Sequence, residues 1–269
     1  MASLVQLHLD KFVIFTLVLT RMSGLVVTAP IFGSRDIPIH VRGLLAFALA
    51  ALVAPTQWHV PIEPPQNLIN YLVFVGTEVL IGLVLGLGIT ILFMGLQVAG
   101  TMIGRASGMA LSSVYDPSMG SEVSLHGKLL NYVTLAVFVA IGGHRMLIAA
   151  MLETFSTLPP GSGAIPVGLS DAATELVGQS FVLGLRASAP IITALLLSTL
   201  VMGIISRTLP QLNIMAVGFG LNSMMTMATL AISISAICYL FQGHVEFVLD
   251  LLGETIAGAS QRVASGLGG

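Results

Sequence analysis

Residues Leu68 to Met94 read LINYLVFVGTEVLIGLVLGLGITILFM, an unbroken apolar run interrupted by one charged side chain, Glu78. About 20 such residues cross the hydrocarbon of a bilayer, and this stretch stays apolar beyond that length, through Gly95, Gly100 and Gly104. The helix it predicts is a membrane helix longer than a membrane requires. Working outward, further apolar runs extend from Phe12 to Phe32, Leu44 to Val53, Leu129 to Leu152, Leu176 to Ile205 and Ile214 to Phe241. The reading is therefore an all-α membrane protein of about six hydrophobic helical segments. Leu44 to Val53, closed by Pro55, is too short to span unless Ile39 to Gly43 joins it, so the set resembles helical hairpins of unequal length more than a regular bundle.

Composition agrees. Of 269 residues, 55% are hydrophobic and 8% charged, and the mean hydropathy is +0.98, which leaves too few polar groups to clothe a water-facing surface. A soluble globular domain and a disordered tail are excluded. The lone cysteine, Cys238, excludes an internal disulfide scaffold, and a net charge of −2 gives no basic footprint for nucleic acid. The first apolar run is longer than the core of a secretory signal and follows Asp10 and Lys11 rather than a basic cluster, so it is expected to remain as a helix. No repeat or low-complexity linker divides the chain, which reads as a single integral membrane domain over residues 1–269. From Gln242 to Gly269 charged and apolar residues interleave at helical spacing, predicting an amphipathic C-terminal tail that frays at its final glycines.

Arg35 and Arg42 follow the first segment, Arg105 and Lys128 flank the loop after the third, and Arg207 follows the fifth, whereas the second and fourth connecting loops carry no Lys or Arg. The positive-inside rule places the first, third and fifth loops in the cytoplasm and the N-terminus outside. An even number of segments would put the C-terminus outside as well.

Charges within apolar runs cost several kcal/mol at mid-bilayer unless paired or hydrated. Arg21, Glu78 and Arg186 are of this kind. Glu78 reads either as part of a proton or ion pathway or, more plainly, as half of a structural ion pair, with either arginine as its counter-ion. Gly82 and Gly86 make one small-xxx-small step, and Gly100, Gly104 and Gly108 recur every four residues, predicting a helix face that another backbone approaches closely. Pro190 is expected to bend or break the fifth segment. Met215, Met224, Met225 and Met227 have the adaptable thioethers of a flexible seal, but ordinary helix packing, in which such residues fill gaps, is the favoured reading. His144, beside Arg145, has no acidic residue at metal-ligand spacing. The HExxH, P-loop, GxSxG and CxxC signatures are all missing, and the reading assigns no catalysis, no metal and no cofactor.

The most unusual stretch is ASGMALSSVYDPSMGSEVSLH, Ala106 to His126, lying between two strongly apolar segments. It combines Met109, Leu111, Val114, Tyr115 and Met119 with a turn-forming Asp116-Pro117 and a later Gly120. A solvated connector needs no such apolar side chains, and a loop of this length is more often functional or packed than idle.

Across nearly its whole length the sequence resembles the FliR family, the export-gate subunit of the flagellar type III secretion apparatus, which has a virulence-system branch of the same fold. The resemblance rests on TAPIFGSRDIP (Thr28 to Pro38), GMALSSVYDP (Gly108 to Pro117), GGHRMLI (Gly142 to Ile148), TFSTLPPG (Thr154 to Gly161) and SRTLPQLNIMAVGFG (Ser206 to Gly220). It implies one copy in a helical, cone-like assembly with FliP and FliQ subunits at the bacterial inner membrane, much of it lifted out of the bilayer plane, at the flagellar basal body, with FlhB and FlhA associated. Unfolded export substrates would pass through that channel. It also implies a plug spanning about Ala106 to Glu122. On that mapping Gly108, Met109, Ala110, Leu111, Ser112, Ser113, Val114, Tyr115, Asp116, Pro117, Ser118, Met119 and Gly120 form the gate loop, the large apolar members filling the lumen and Asp116-Pro117 setting the bend. Gly82, Gly86, Gly100 and Gly104 would be helix-packing positions. The family often has Asn-Gly-His at Gly142-Gly143-His144 and a proline at Gly220, so no fine role carries over to those positions. Its methionine seal belongs mainly to the FliP subunit, so Met224, Met225 and Met227 inherit nothing from it. An export subunit of the virulence (injectisome) branch is the nearest alternative, and two other classes compete with it. A six-helix secondary transporter would use Glu78 with Arg21 or Arg186 and predicts an inverted repeat, which is not visible. An intramembrane hydrolase needs a nucleophile and base placed together, which no motif provides.

Overall fold

The computed structural model describes residues 2–34, 37–60, 67–108, 125–163, 168–209, 211 and 214–266. Among them are seven α-helices and no strand: α1 (Ala2–Thr28), α2 (Ile39–Val53), α3 (Leu68–Ala106), α4 (Leu125–Ala140), α5 (Gly143–Thr157), α6 (Leu169–Thr208) and α7 (Ile214–Gly266), with a short 3-10 turn at Ala54–Gln57. Five helical stretches are long and apolar enough to cross a membrane, or six if His126–Ala140 and Gly143–Thr157 count as one broken span.

The predicted segments return with four changes. Ile39 to Gly43 does join the second, because Pro38 at the N-cap suits a helix start and the chain tightens into the 3-10 turn only at Ala54. The fourth is two helices: Gly142 takes the left-handed conformation at φ 75°, which ends α4 and starts α5. Pro190 does not break α6, which runs through it for 40 residues. Proline removes one amide donor, and the apolar packing of Leu183, Ala187, Ile191 and Leu195 along one side of the helix outweighs that loss. The C-terminal tail is not a separate element: α7 is continuous for 53 residues. Of the apolar residues Val245, Phe247, Val248, Leu251, Leu252 and Ile256 expected on one face, Val245, Val248, Leu252 and Ile256 are buried together with Leu249, whereas Phe247 is exposed and Leu251 half-buried.

Contacts gather into two compact units. The first comprises Met1–Ile91, Gly142–Leu176 and Val245–Gly269; the second comprises Leu92–Ile141 and Val177–His244. Within the first, α1 and α3 run parallel: Tyr71 donates to Thr16 Oγ1 at 2.9 Å near one end, and Thr90 donates to the Thr28 carbonyl at 2.6 Å near the other. Arg42 stitches the α1–α2 turn by donating to the carbonyls of Ile37 (3.0 Å) and Ser34 (2.8 Å), and Lys11 Nζ lies 4.7 Å from the Trp58 ring at the open end of that hairpin. In the second unit, Phe93, Phe138 and Phe241 meet edge to face, with centroids 5.4 to 6.5 Å apart, and centre a core from α3, α4 and α7.

Candidate functional site

Arg21 on α1 and Glu78 on α3 are 0% and 1% exposed and form an ion pair, Nε to Oε2 at 2.5 Å. Two charges taken out of water this completely require their other polar atoms to be satisfied as well. Nη1 of Arg21 donates to Thr154 Oγ1 and Nη2 to the Leu158 carbonyl, both at 3.0 Å, while the guanidinium sits 4.2 Å from the Phe155 ring centre. The second oxygen of Glu78 accepts from the Gly161 amide at 2.9 Å. The pair thus joins α1, α3, the end of α5 and the turn that follows it. Arg21 is the counter-ion of Glu78, and the arrangement matches the structural ion pair rather than an open ion path, since every nitrogen and carboxylate oxygen of the pair has a protein partner. Arg186 is exposed on α6.

The cluster explains a stretch that sequence reading quoted without a role. TFSTLPPG supplies Thr154, Phe155, the Leu158 carbonyl and the Gly161 amide, so its hydroxyl, ring and turn are the far side of the ion pair. A threonine at the end of a helix followed by Pro159-Pro160-Gly161 was the available signal; its partner 83 residues earlier was not readable.

The glycine reading is largely placed. A Cβ on Gly82 would run into the Arg21 carbonyl, one on Gly86 into Thr28, and one on Gly100 into the backbone of Gly127. Gly104 is buried near the end of α3. Gly108 is not on this face, because α3 ends at Ala106 and Gly108 follows in a turn at φ 82°. Close contacts the sequence did not reveal include Gly24 against the Val79 carbonyl, Gly88 against the Leu252 side chain, Gly95 against the Ser180 carbonyl, and Gly184 against the Gly95 carbonyl. The seams lie on α3 and differ in partner: α1, α6, α7 and the start of α4.

Of the predicted plug, Ala106, Ser107 and Gly108 are described, with Ser107 buried and its hydroxyl donating to the Gly104 carbonyl at 3.0 Å. Met109 to Ser124, and so Met109, Ala110, Leu111, Ser112, Ser113, Val114, Tyr115, Asp116, Pro117, Ser118, Met119 and Gly120, lie outside the described residues. The chain returns at Leu125, and the next residue, His126, is buried with neither ring nitrogen bonded among the described residues. Met224, Met225 and Met227 are exposed along α7; the side chain of Met215 lies outside the described set. A cavity of about 360 Å³ between α5 and α7 is lined by Glu153, Asp250 and Glu254, and no group of three or more His, Cys, Asp or Glu able to hold a metal occurs among the described residues.

Comparison with known proteins completes the description. A family described as "Bacterial export proteins, family 1" matches residues 12–248. The chain is 30% identical over 237 residues to the flagellar biosynthetic protein FliR of Pectobacterium carotovorum subsp. carotovorum, covering 88% of this chain and 90% of that protein. It is 28% identical over 256 residues to FliR of Bacillus subtilis (strain 168), covering 93% and 96%, and 29% identical over 245 residues to FliR of Escherichia coli (strain K12), covering 88% and 91%. With a match running from α1 into α7 and relatives aligned over most of both lengths, the chain belongs to family 1 of the bacterial export proteins, the FliR family.

Proposed function

We propose that this protein is a structural and gating subunit of the flagellar type III export channel in the bacterial inner membrane, through which unfolded flagellar substrates pass. The observation that carries the proposal is its likeness, over most of the chain, to proteins named for flagellar biosynthesis in several bacteria. The physical features suit such a part. Helices α3, α6 and α7, of 39, 40 and 53 residues, exceed what a bilayer covers and call for neighbouring subunits along their length. FliP- and FliQ-like subunits would be those neighbours, with FlhB and FlhA bound to the completed gate. No constellation for catalysis enters the account, and energy comes from outside the chain.

Gating falls to the segment from about Ala106 to Glu122. Its apolar side chains would fill the lumen of the closed channel, and opening would withdraw them. The closed state must then lie within a few kcal/mol of the open one, so that FlhB and substrate engagement can reverse it. Co-expression with FliP- and FliQ-like subunits from the same genome tests the assembly. The expected result is one heteromeric particle that co-purifies through a tag on this chain, and a deletion strain that is non-motile and retains hook and filament proteins in the cytoplasm. A stable, solitary protein together with a motile deletion strain would reject the proposal.

A further inference from the structure

We infer that Arg186, together with the backbone carbonyl that Pro190 leaves free, is a polar contact point for a neighbouring subunit, and that the group it meets is a carboxylate carried on an otherwise apolar helix. The inference rests on the assembly proposed above and adds the chemistry of one contact. Arg186 stands near the middle of α6, and the nearest charged residues along that helix, Glu175 and Arg207, are about 16 and 32 Å away at 1.5 Å per residue. Its own helix therefore offers it no counter-ion.

Nor does the packing around it. Leu183, Ala187 and Ile191 face the core, which turns Arg186, Ala189 and Pro190 outward, and Arg186 makes no hydrogen bond or ion pair among the described residues. The described residues of the second unit, 92–108, 125–141, 177–209, 211 and 214–244, include no Asp or Glu at all. The other exposed cations of that unit sit at helix ends: Arg105 and Arg207 in the last turns of α3 and α6, where they complement the helix dipole, and Lys128 in the first turn of α4. Arg186 has no such setting. A guanidinium at mid-helix on an apolar face is heavily penalised unless a counter-charge comes from elsewhere.

Pro190 supplies an independent observation. Standing four residues after Arg186, it has no amide with which to bond the Arg186 carbonyl. One exposed turn of α6 thus carries an unpaired donor and an acceptor deprived of its helical partner, with the small Ala189 between them to let another helix approach. A lipid phosphate would also answer the charge, but it would set the water boundary at mid-helix. Phe181 and Leu185 are exposed on one side of Arg186 and Leu196 and Leu200 on the other, so a headgroup plane there would leave one set in water. A protein helix covers both sets. Its carboxylate accepts from the guanidinium, in a charge-assisted and geometrically specific pair, and a hydroxyl or amide beside it donates to the Arg186 carbonyl.

The test co-expresses the full-length chain with FliP- and FliQ-like subunits from the same genome and measures how much of each co-purifies through a tag on this chain. Arg186→Glu should lower the yield of the complex about tenfold or more, while Arg186→Lys keeps most of it. Changing each Asp or Glu in the apolar helices of the partner subunits to Lys, one at a time, should restore the Arg186→Glu complex at one position. Pro190→Ala closes the free carbonyl and should cut the yield severalfold while leaving the isolated chain at least as stable. The thermal midpoint of the isolated chain should be the same for Arg186→Glu as for the parent, because the side chain has no partner within it. A parent chain that forms no complex would overturn both the assembly and this contact. With the parent complex intact, an undiminished yield for Arg186→Glu or Pro190→Ala would overturn the contact alone. So would a midpoint lowered by Arg186→Glu, restoration at no partner position, or restoration by Asp116→Lys or Glu122→Lys within this chain.

Discussion

Arg21 and Glu78 have given up their water for each other and for Thr154, Leu158 and Gly161, so the cost of disturbing them depends on which atoms are left behind. Glu78→Ala strands a buried guanidinium and should destabilise the protein by about 3–5 kcal/mol, whereas Arg21→Met with Glu78→Leu removes both charges and should recover most of that loss. Thermal unfolding of the purified protein in detergent checks both; equal midpoints for Glu78→Ala and the parent would contradict the role of the pair. The glycine seam obeys the same local logic. Gly82→Ala drives a methyl into the Arg21 carbonyl and should cost about 1–3 kcal/mol by overpacking. Gly203→Ala meets open space on α6 and should raise the unfolding midpoint, by up to about 1 kcal/mol of helix propensity. At this scale sequence identified Glu78, Arg21, Gly82, Gly86 and Gly100 as residues that must be packed or paired. It left the choice of arginine open, because that choice is made by the register of two parallel helices 57 residues apart in the chain.

Helix ends in this protein are set by one or two backbone positions, and those were the hardest features to read. Leu129 to Leu152 looked like one segment because a run that is apolar on every face has no periodicity to interrupt; the available sign was the pair Gly142-Gly143. Gly142→Ala must hold an L side chain at φ 75° and should cost about 1–2 kcal/mol, read as a lower unfolding midpoint. Pro190→Ala works in the opposite direction. It restores an amide donor to the Arg186 carbonyl inside a helix that is already continuous, and should raise the midpoint, by up to about 3 kcal/mol. A lower midpoint for Pro190→Ala would show that the proline ring itself is needed for packing. The amphipathic pattern after Gln242 was read correctly as helical and apolar on one face, yet as a separate tail, because the change in composition at that point involves no helix breaker beyond Gly243, which α7 absorbs without a turn.

For the molecule as a whole, length decides more than any motif. α3, α6 and α7 extend about 58, 60 and 80 Å at 1.5 Å per residue, against roughly 30 Å of hydrocarbon. In the proposed assembly the surplus apolar surface meets the neighbouring subunits. Fold class and family were therefore legible from composition and five short stretches of sequence. The sealing role of Met109 to Gly120 rests on composition and family resemblance, as these residues lie outside those described. The most direct measurement is the ionic conductance of the complex with FliP- and FliQ-like subunits in a planar bilayer, compared with the same complex lacking Gly108 to Gly120 of this chain. The account predicts that the deletion raises conductance well above the closed baseline at unchanged subunit composition; a baseline that does not move would contradict it.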